Sequence, residues 1–502
     1  MKTKKILYSG ISIVAIVLIL SSCDNLLNQQ PKAQLSNATF WKTSSDAKLA
    51  LAGVYKRLTD YSFFGYLRPE LDVLTDNTFN PSTVGHLKRI SRGNISPSTG
   101  GVINSMWSAS YQGITTCNNF LQHIDNVNID KAKKATYKAQ AHFLRAYFYW
   151  NLLFFYGGVP IYKKVPTVKN VKRARSSASK VLSLIYQDLD YAITNLPNVP
   201  YTKGHAVKAS AQGLEARVAL YEHNYQKVVK LTKNIMNSGH FHLADNYKTI
   251  FLSSGQNNNP GIIFSSNYSL PNNYSKMDVQ IGYFAQNQPT QNLVNSYYAT
   301  DGEPIDKSPL YNSKKPYKNR DPRLNMSVFL PNETWTLSNG SHYKLGVGSS
   351  AGTYTGYYEE KYVDKANAPF SNSTRSGQNF VILRYADILL MYAEAENELN
   401  GPAPSIYDAL DKIRKRVNMP SVKQGQSQEE LRKTIRHERR DELAFEGLRY
   451  YDLKRWHIAQ QVLNGKKDAA GATISFKKNN YLWPIPIHEM NTNPKLKQNP
   501  GY

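Results

Sequence analysis

Several stretches of the sequence place apolar residues at helical spacing and contain no internal Gly or Pro. The clearest, Lys131 to Tyr156, has a largely apolar second half and stops at Gly157-Gly158, so it predicts one long helix. Another helix is predicted from Ala178 to Leu196, and residues 205–239 predict a helical hairpin. Four small residues of this hairpin have the close-packing pattern of tetratricopeptide repeats: Ala209, Gly213, Ala216 and Ala219. A second helical pair is predicted from Leu383 to Val417.

Between these helical segments, residues 241–380 are rich in Asn, Ser, Gly, Tyr and Pro. This composition predicts an irregular segment with a few short strands, one of them at Gly261–Ser265. Irregular segments of this length are uncommon in compact domains and usually carry function. We therefore expect the binding surface in this segment and in the loop of residues 77–101.

Residues 428–447 predict one continuous helix that ends at Gly447. Three glutamates and three arginines each form a stripe at i, i+4 spacing on this helix: Glu438, Glu442 and Glu446, and Arg432, Arg436 and Arg440. The stripes allow two interpretations, a carboxylate site or an ion-pair network that anchors the helix, and we favour the network. The proline-rich C terminus is predicted to run extended over the body.

The N terminus has the pattern of a lipoprotein signal peptide. Three lysines precede an apolar run from Ile6 to Leu20, which is too short for an ordinary transmembrane helix of ~20 residues. The run ends in Leu20-Ser21-Ser22-Cys23, which resembles a bacterial lipobox. We predict that residues 1–22 are removed and that Cys23 is lipidated; the alternative is that Cys23 is an ordinary small residue at a cleavage site.

The composition describes a folded, basic protein. Of 502 residues, 41% are hydrophobic and 12% aromatic, and 62 Lys and Arg face 37 Asp and Glu, a formal charge of +25. Without residues 1–22, which hold three lysines and no acid, the charge is +22. Such a charge permits nucleic-acid, membrane or acidic-glycan partners, but export to the surface argues against nucleic acid. Cys23 and Cys117 exclude a disulfide framework, and Cys117 is predicted to be a free, buried thiol.

Together these segments resemble the SusD/RagB family of surface glycan-binding lipoproteins. The resemblance lies in the opening segment Leu27–Leu58, in the helix that starts at Trp107, and in three C-terminal blocks: LRYADILLMYAEAENEL, ERRDELAFEGLRYYDLKRW and LWPIPIHEMNTNPKLKQNPGY. It implies an all-α-dominated, SusD-like fold with four tetratricopeptide-like helix pairs and a long loop-rich segment with few short strands. The tryptophans of these blocks and helices are assigned to the core: Trp107, Trp150, Trp456 and Trp483.

The resemblance also implies an organisation and a partner. The expected segments are a signal peptide (1–22), an N-terminal helical region (23–240), a loop-rich ligand-facing insert (241–380) and a C-terminal RagB/SusD helical region (381–502). Family members are lipid-anchored at the cell surface on the outer membrane. There they pass an oligosaccharide to a SusC-like TonB-dependent transporter and do not act as enzymes.

Sugar recognition needs exposed aromatic planes beside polar and cationic groups. On this chemistry the candidate ligand-binding residues are Asp76, Asn77, Arg89, Arg92, Asn94, Tyr274, Tyr283, Phe284, Trp335 and Tyr357. The same two regions also supply His86, Lys88, Tyr297, Tyr343, Tyr354 and Tyr358. For any single aromatic, burial or contact with the transporter is the competing interpretation.

The basic charge is more than a binder of neutral glucan needs. One explanation is an anionic glycan ligand. The other, to which we give equal weight, is that the cations form a solvated face or contact acidic lipopolysaccharide or the transporter. The basic clusters are Lys88–Arg92, Lys172–Arg175 and Lys314–Arg323. A peptide-capturing lid and a structural adaptor without sugar binding remain alternative functions. Residues 348–352 match the G-x-S-x-G motif, but polar loop flanks them, so no catalytic residue is assigned. No cofactor or metal site is predicted, and the sequence leaves bound structural calcium open.

Overall fold

The computed structural model describes residues 40–337, 339–349 and 352–502. The predicted signal peptide and Cys23 lie outside these residues. The helices of the described chain, in order, are α1 (Ser44–Asp60), α2 (Leu87–Ser91), α3 (Val102–His123), α4 (Lys131–Tyr156), α5 (Ala178–Asn195), α6 (Lys208–Tyr221), α7 (Tyr225–Met236), α8 (Gln291–Ser296), α9 (Pro322–Ser327), α10 (Tyr385–Asn400), α11 (Pro404–Arg416), α12 (Gln428–Glu442), α13 (Arg449–Arg455), α14 (Ala459–Leu463) and α15 (Ile487–Thr492). None of these described helices combines the length and apolar character needed to cross a bilayer.

The long helices begin and end where the sequence places capping residues. The Asp130 side chain accepts a hydrogen bond from the Lys133 N–H at the start of α4, and Gly157 ends the helix with a φ of 73°. Helices α3, α4 and α5 pack side by side, α6 pairs with α7, and α10 packs on both α7 and α11. The predicted long helix, hairpin and second helical pair are confirmed, as is the helix-dominated fold.

The strands are short and pair in twos. They are β1 (Thr78–Phe79), β2 (Ile262–Ser266), β3 (Gln288–Pro289), β4 (Val328–Phe329), β5 (Trp335–Thr336), β6 (His342–Tyr343), β7 (Tyr358–Glu359) and β8 (Phe380–Arg384). Antiparallel pairs form between β1 and β3, β2 and β8, β4 and β7, and β5 and β6. The predicted strand near residue 261 is β2. Its partner β8 spans the expected boundary at residue 380, so one two-stranded sheet joins the loop-rich segment to the C-terminal helices.

Helix α12 is shorter than the sequence predicted, because it ends at Glu442 and not at Gly447. Residues 443–447 form a turn in which Phe445 has a positive φ of 65°. Two contacts favour this turn: the Phe445 N–H donates to the Asp72 carboxylate, and Glu446 reaches back to the Lys361 ammonium. Long-range hydrogen bonds therefore override the helical pattern of the sequence.

The ion-pair interpretation of the α12 glutamates is confirmed. The buried Glu442 carboxylate accepts hydrogen bonds from Arg323, Arg384 and Arg416. Burial would raise the pKa of Glu442, but the three guanidinium charges outweigh it and hold the pKa well below its usual range. These bonds tie α12 to α9, β8 and α11.

The core is strongly aromatic. Trp483 of the C-terminal segment is fully buried and stacks on Phe155 of α4, with ring centroids 4.0 Å apart. This contact fixes the extended C terminus on the helical layer. Trp107, Trp150 and Cys117 are buried as predicted, whereas Trp456 is partly exposed and donates its indole N–H to Glu394.

Candidate functional site

A cleft of about 530 Å³ opens where the loop after the segment Arg68–Leu74 meets three distant parts of the chain. Residues 75–79, 290–292, 354–355 and 462–474 contribute to its walls. The first two of these segments are held together by the β1–β3 pair, and Thr290 Oγ1 donates to the Asp76 carbonyl at 2.7 Å. The cleft thus unites the two regions that the sequence selected for binding.

One edge of the cleft is aromatic. Tyr354 is 47% exposed, and its ring lies 5.3 Å from the ring of Phe79 at an angle of 58°. The Lys88 ammonium lies 5.6 Å from the Phe79 centroid and 5.8 Å from that of Tyr354. The buried Gln288 side chain accepts a hydrogen bond from the Tyr354 N–H, which anchors the backbone that carries the ring. An exposed aromatic face beside an ammonium suits the C–H face and hydroxyl rim of a sugar.

Another part of the cleft wall carries the Asp76 carboxylate, which bridges two guanidinium groups. Its oxygens lie 3.0 Å from nitrogen atoms of Arg440 and of Arg449. Burial would raise the pKa of Asp76, but the charges of both arginines outweigh it and lower the pKa to about 2. Asp76 is therefore ionised and its charge is compensated.

A layer of buried polar groups supports this wall. Asn77 is fully buried, donates to Asp72 and accepts from Arg440 Nε at 2.9 Å. Because both polar atoms of its side chain are hydrogen-bonded within the protein, Asn77 supports the position of Asp76 and offers no group to a ligand. Beneath it, burial raises the pKa of Asp72 to about 6 and that of Glu70 to about 8.

The remaining rim comes from residues 462–474, which sequence reasoning missed. Arg92 Nε donates to Asp468 Oδ2 at 2.6 Å, and the exposed Lys466 and Lys467 line the cleft beside it. Arg92 and Asp468 are 376 residues apart. The only local signal was a turn-forming stretch ending at Gly471, and nothing in it indicated proximity to the first loop.

The predicted aromatic residues divide into buried and accessible ones. Five are buried in the structure, and ligand access to them is blocked by neighbouring side chains: Tyr297, Trp335, Tyr343, Tyr357 and Tyr358. Trp335 lies against Phe329, and the Tyr357 hydroxyl donates to Gln291 at 2.7 Å, behind the cleft wall. Trp335 and Tyr357 are therefore buried, which is the alternative that the sequence left open for each aromatic residue.

The other candidates remain predictions and are spread over the surface. Exposed Arg89 donates to the carbonyl of exposed Asn94. Partly exposed Tyr274 lies under the guanidinium of Arg375. Tyr283 and Phe284 form an edge-on pair, and the Tyr283 ring packs on Gly348, where a Cβ would lie 2.1 Å from it. None of these residues lines the cleft.

Part of the basic charge is structural. Arg175 donates to the carbonyl oxygens of Tyr156 and Gly158, and buried Arg320 donates to the Tyr297 carbonyl. Arg323 is buried in the network around Glu442. The clusters Lys172–Arg175 and Lys314–Arg323 therefore contribute fewer free cations than their sequence suggests.

Two further clefts, of about 500 and 570 Å³, open elsewhere on the described surface. The first is lined by amides and tyrosines such as Asn267 and Tyr201, and the second by Tyr111 and Tyr162. Among the residues that the structure describes, no three His, Cys, Asp or Glu side chains are arranged to hold a metal ion. The serine of the G-x-S-x-G match, Ser350, lies outside the described residues; residues 345–348 before it form a turn.

Two family models match the chain. The model described as "SusD family" matches residues 249–502. The model described as "Starch-binding associating with outer membrane" matches residues 53–220. Both halves of the described fold are therefore covered by models of the same kind of protein.

Similar proteins match over nearly the full length. SusD-like protein P25 of Formosa agariphila is 26% identical, with 98% of this chain and 99% of that protein covered. A SusD-like carbohydrate-binding protein of Bacteroides fragilis is 27% identical, with a TM-score of 0.82 over 91% of this chain and 100% of that one. A second SusD-like protein of Bacteroides fragilis is 26% identical, with a TM-score of 0.81 over 94% of this chain and 100% of that one. With half of its residues matched by the family model and the same fold in its relatives, the chain belongs to the SusD family.

Proposed function

We propose that the protein captures an oligosaccharide or polysaccharide at the cell surface and binds it in the cleft beside Tyr354. The observation that carries this proposal is the exposed Tyr354 ring, which lies next to the Lys88 ammonium and lines a polar cleft. The similarity to the carbohydrate-binding protein of Bacteroides fragilis supports it. In this proposal the protein binds its ligand without changing it.

The ligand is proposed to be anionic. Asp76 is paired with two arginines and Asp468 with one, so these two carboxylates of the cleft are already compensated. Lys466 and Lys467 stand exposed on the same rim. Ammonium groups at the rim of the cleft favour carboxylates or sulfates through charge-assisted hydrogen bonds.

Delivery completes the proposed role. Lipidation of Cys23 would hold the protein at the outer membrane. The description of one matching family model names association with that membrane. The bound glycan would then pass to a SusC-like TonB-dependent transporter. This step rests on family membership, and its direct test is co-purification of the two proteins from outer membranes.

Calorimetric titration of the chain from Asp24 to Tyr502 tests the binding proposal. Neutral, uronic and sulfated oligosaccharides would be compared at low and high salt. We expect binding of an acidic glycan that weakens with salt. Tyr354→Ala should weaken it by on the order of 10-fold, because a stacked ring contributes about 1–2 kcal/mol. Tyr137→Ala, a partly exposed tyrosine of α4 outside the cleft, is the matched control.

Salt-insensitive binding of a neutral glycan would retain the cleft and refute the anionic ligand. Equal affinities of the Tyr354→Ala and parent proteins would refute the cleft. Absence of binding to every saccharide by folded protein would favour the peptide-capturing or adaptor alternatives.

A further inference from the structure

The loop between α4 and α5 belongs to a long stretch of chain without acidic residues. From Lys131 to Gln187 the sequence contains 12 Lys and Arg and no Asp or Glu. Five of these cations are exposed in the loop itself: Lys163, Lys164, Lys169, Lys172 and Arg173. We call these five residues the basic loop cluster.

The polar contacts of the cluster are to neutral groups. Lys163 Nζ donates to Gln187 Oε1, and Arg173 donates to the carbonyl oxygens of Asn170 and Ile161. Elsewhere in the described chain, Arg92, Arg440 and Arg449 sit on carboxylates. The positive field of the loop is therefore available to an external partner.

The loop is held in shape and presents apolar side chains between its cations. The Tyr162 hydroxyl donates to the Val171 carbonyl, and the Asn170 side chain accepts from the Thr167 N–H. Val168 is 95% exposed and Val171 is 42% exposed. Exposed apolar residues flanked by Lys and Arg are typical of segments that rest in the interfacial region of a membrane.

The loop lies near the first described residues of the chain. Trp41, next to the first described residue, stacks on His123 at the C-terminal end of α3, with centroids 5.3 Å apart. The neighbouring Gln122 side chain accepts a hydrogen bond from the Val165 N–H of the loop. Sixteen residues separate Cys23 from Phe40, a span of at most ~60 Å. A lipid anchor on Cys23 would therefore keep the basic loop cluster within reach of the membrane surface.

We propose that the basic loop cluster docks on an anionic lipid surface, with Val168 at the level of the headgroups. A single lipid anchor and a polybasic patch act together, because the patch lowers the free energy of the anchored protein near negatively charged headgroups. Docking would fix the orientation of the protein relative to the membrane plane and leave the cleft residues, which belong to other segments, free for ligand. This inference goes beyond glycan capture and does not depend on it.

Vesicle co-sedimentation of the chain from Asp24 to Tyr502 tests the docking proposal. This chain lacks the lipid, so any binding reports the protein surface alone. Phosphatidylcholine vesicles containing about one-third phosphatidylglycerol would be compared with pure phosphatidylcholine at about 0.05 M and 0.5 M salt. We expect binding to the anionic vesicles only, and loss of it at high salt.

Two charge-matched variants separate the loop from net charge. Replacing Lys163, Lys164, Lys169 and Lys172 by Gln should lower partitioning by on the order of 100- to 1,000-fold, because each cation near an anionic surface raises it about fivefold and four are removed. The control replaces four exposed lysines of another segment by Gln: Lys307, Lys314, Lys315 and Lys318. It should stay within about threefold of the parent. Val168→Ser should weaken binding without changing its salt dependence.

Three results would overturn the proposal. The first is that the parent protein fails to bind the anionic vesicles at low salt. The second is that both quadruple variants lose binding equally, which would mean that only net charge matters. The third is that the loop variant keeps vesicle binding and loses binding of an acidic oligosaccharide instead. Far-UV circular dichroism of each variant verifies that the helices are intact. Since all the substituted lysines are exposed, we expect them to fold.

Discussion

Replacement of Glu70 by Gln should stabilise the protein, and more so as the pH rises. Glu70 is 3% exposed, and its hydrogen bond comes from the neutral amide of Asn80 at 3.3 Å. Its second oxygen, Oε1, is buried without a hydrogen-bond partner among the described residues. Burial raises the pKa of Glu70 from 4.5 to about 8, because the carboxylate loses its hydration and gains no cation.

The sign follows from the difference between the folded and unfolded states. The folded carboxyl binds its proton more tightly, so stability falls as the pH rises from 4.5 towards about 8. At 1.36 kcal/mol per pH unit, the raised pKa of Glu70 lowers the free energy of unfolding by roughly 1.4 kcal/mol at pH 5.5 and on the order of 4–5 kcal/mol at pH 8.5. Gln carries no charge and still accepts the Asn80 bond. Its advantage over Glu should therefore grow by roughly 3 kcal/mol between these two pH values.

Urea unfolding followed by tryptophan fluorescence at pH 5.5 and 8.5 measures this difference. The control is Glu442→Gln, the same substitution at a carboxylate that three arginines surround. This variant should lower the free energy of unfolding by about 3–5 kcal/mol, because it leaves the buried guanidinium groups without their counter-charge. The loss should be the same at both pH values, because the pKa of the Glu442 carboxyl lies below the range tested. A Glu70→Gln protein that is less stable than the parent at pH 8.5, or whose advantage does not change with pH, would refute the reasoning.

Two further predictions concern helix packing and the charge of the cleft. Gly113→Ala in α3 should lower stability by about 1–3 kcal/mol, because the new Cβ would lie 2.5 Å from the Phe148 ring. Gly213→Ala in α6, where the nearest atom is 3.3 Å away, should stay within about 1 kcal/mol of the parent; equal changes in thermal unfolding would contradict this packing argument. Asp76→Asn removes the carboxylate that compensates Arg440 and Arg449 and should strengthen binding of an acidic oligosaccharide several-fold at low salt. Unchanged or weaker binding in calorimetry would count against an anionic ligand in this cleft.

The sequence by itself determined the elements whose signal is local. Helix α4 begins and ends where its Asp130 cap and Gly157 predict. The Glu442 stripe was assigned to an ion-pair network from its spacing, and the structure supplies the partners. Trp483 was placed in the core from its motif, and it is fully buried. Such features are predictable because caps, helical periods and motif blocks depend on residues that are close in sequence.

Tertiary structure alone decided which loop residues form the cleft. Asp76 meets Arg449 across 373 residues, and Arg92 meets Asp468 across 376. Loops have no period that reports which side faces solvent, so exposed Tyr354 and buried Trp335 looked alike in the sequence. The early end of α12 has the same origin, because the Asp72 carboxylate that accepts the Phe445 N–H lies far away in the chain. Exposure and pairing depend on neighbours that the fold brings together, and local sequence does not encode those neighbours.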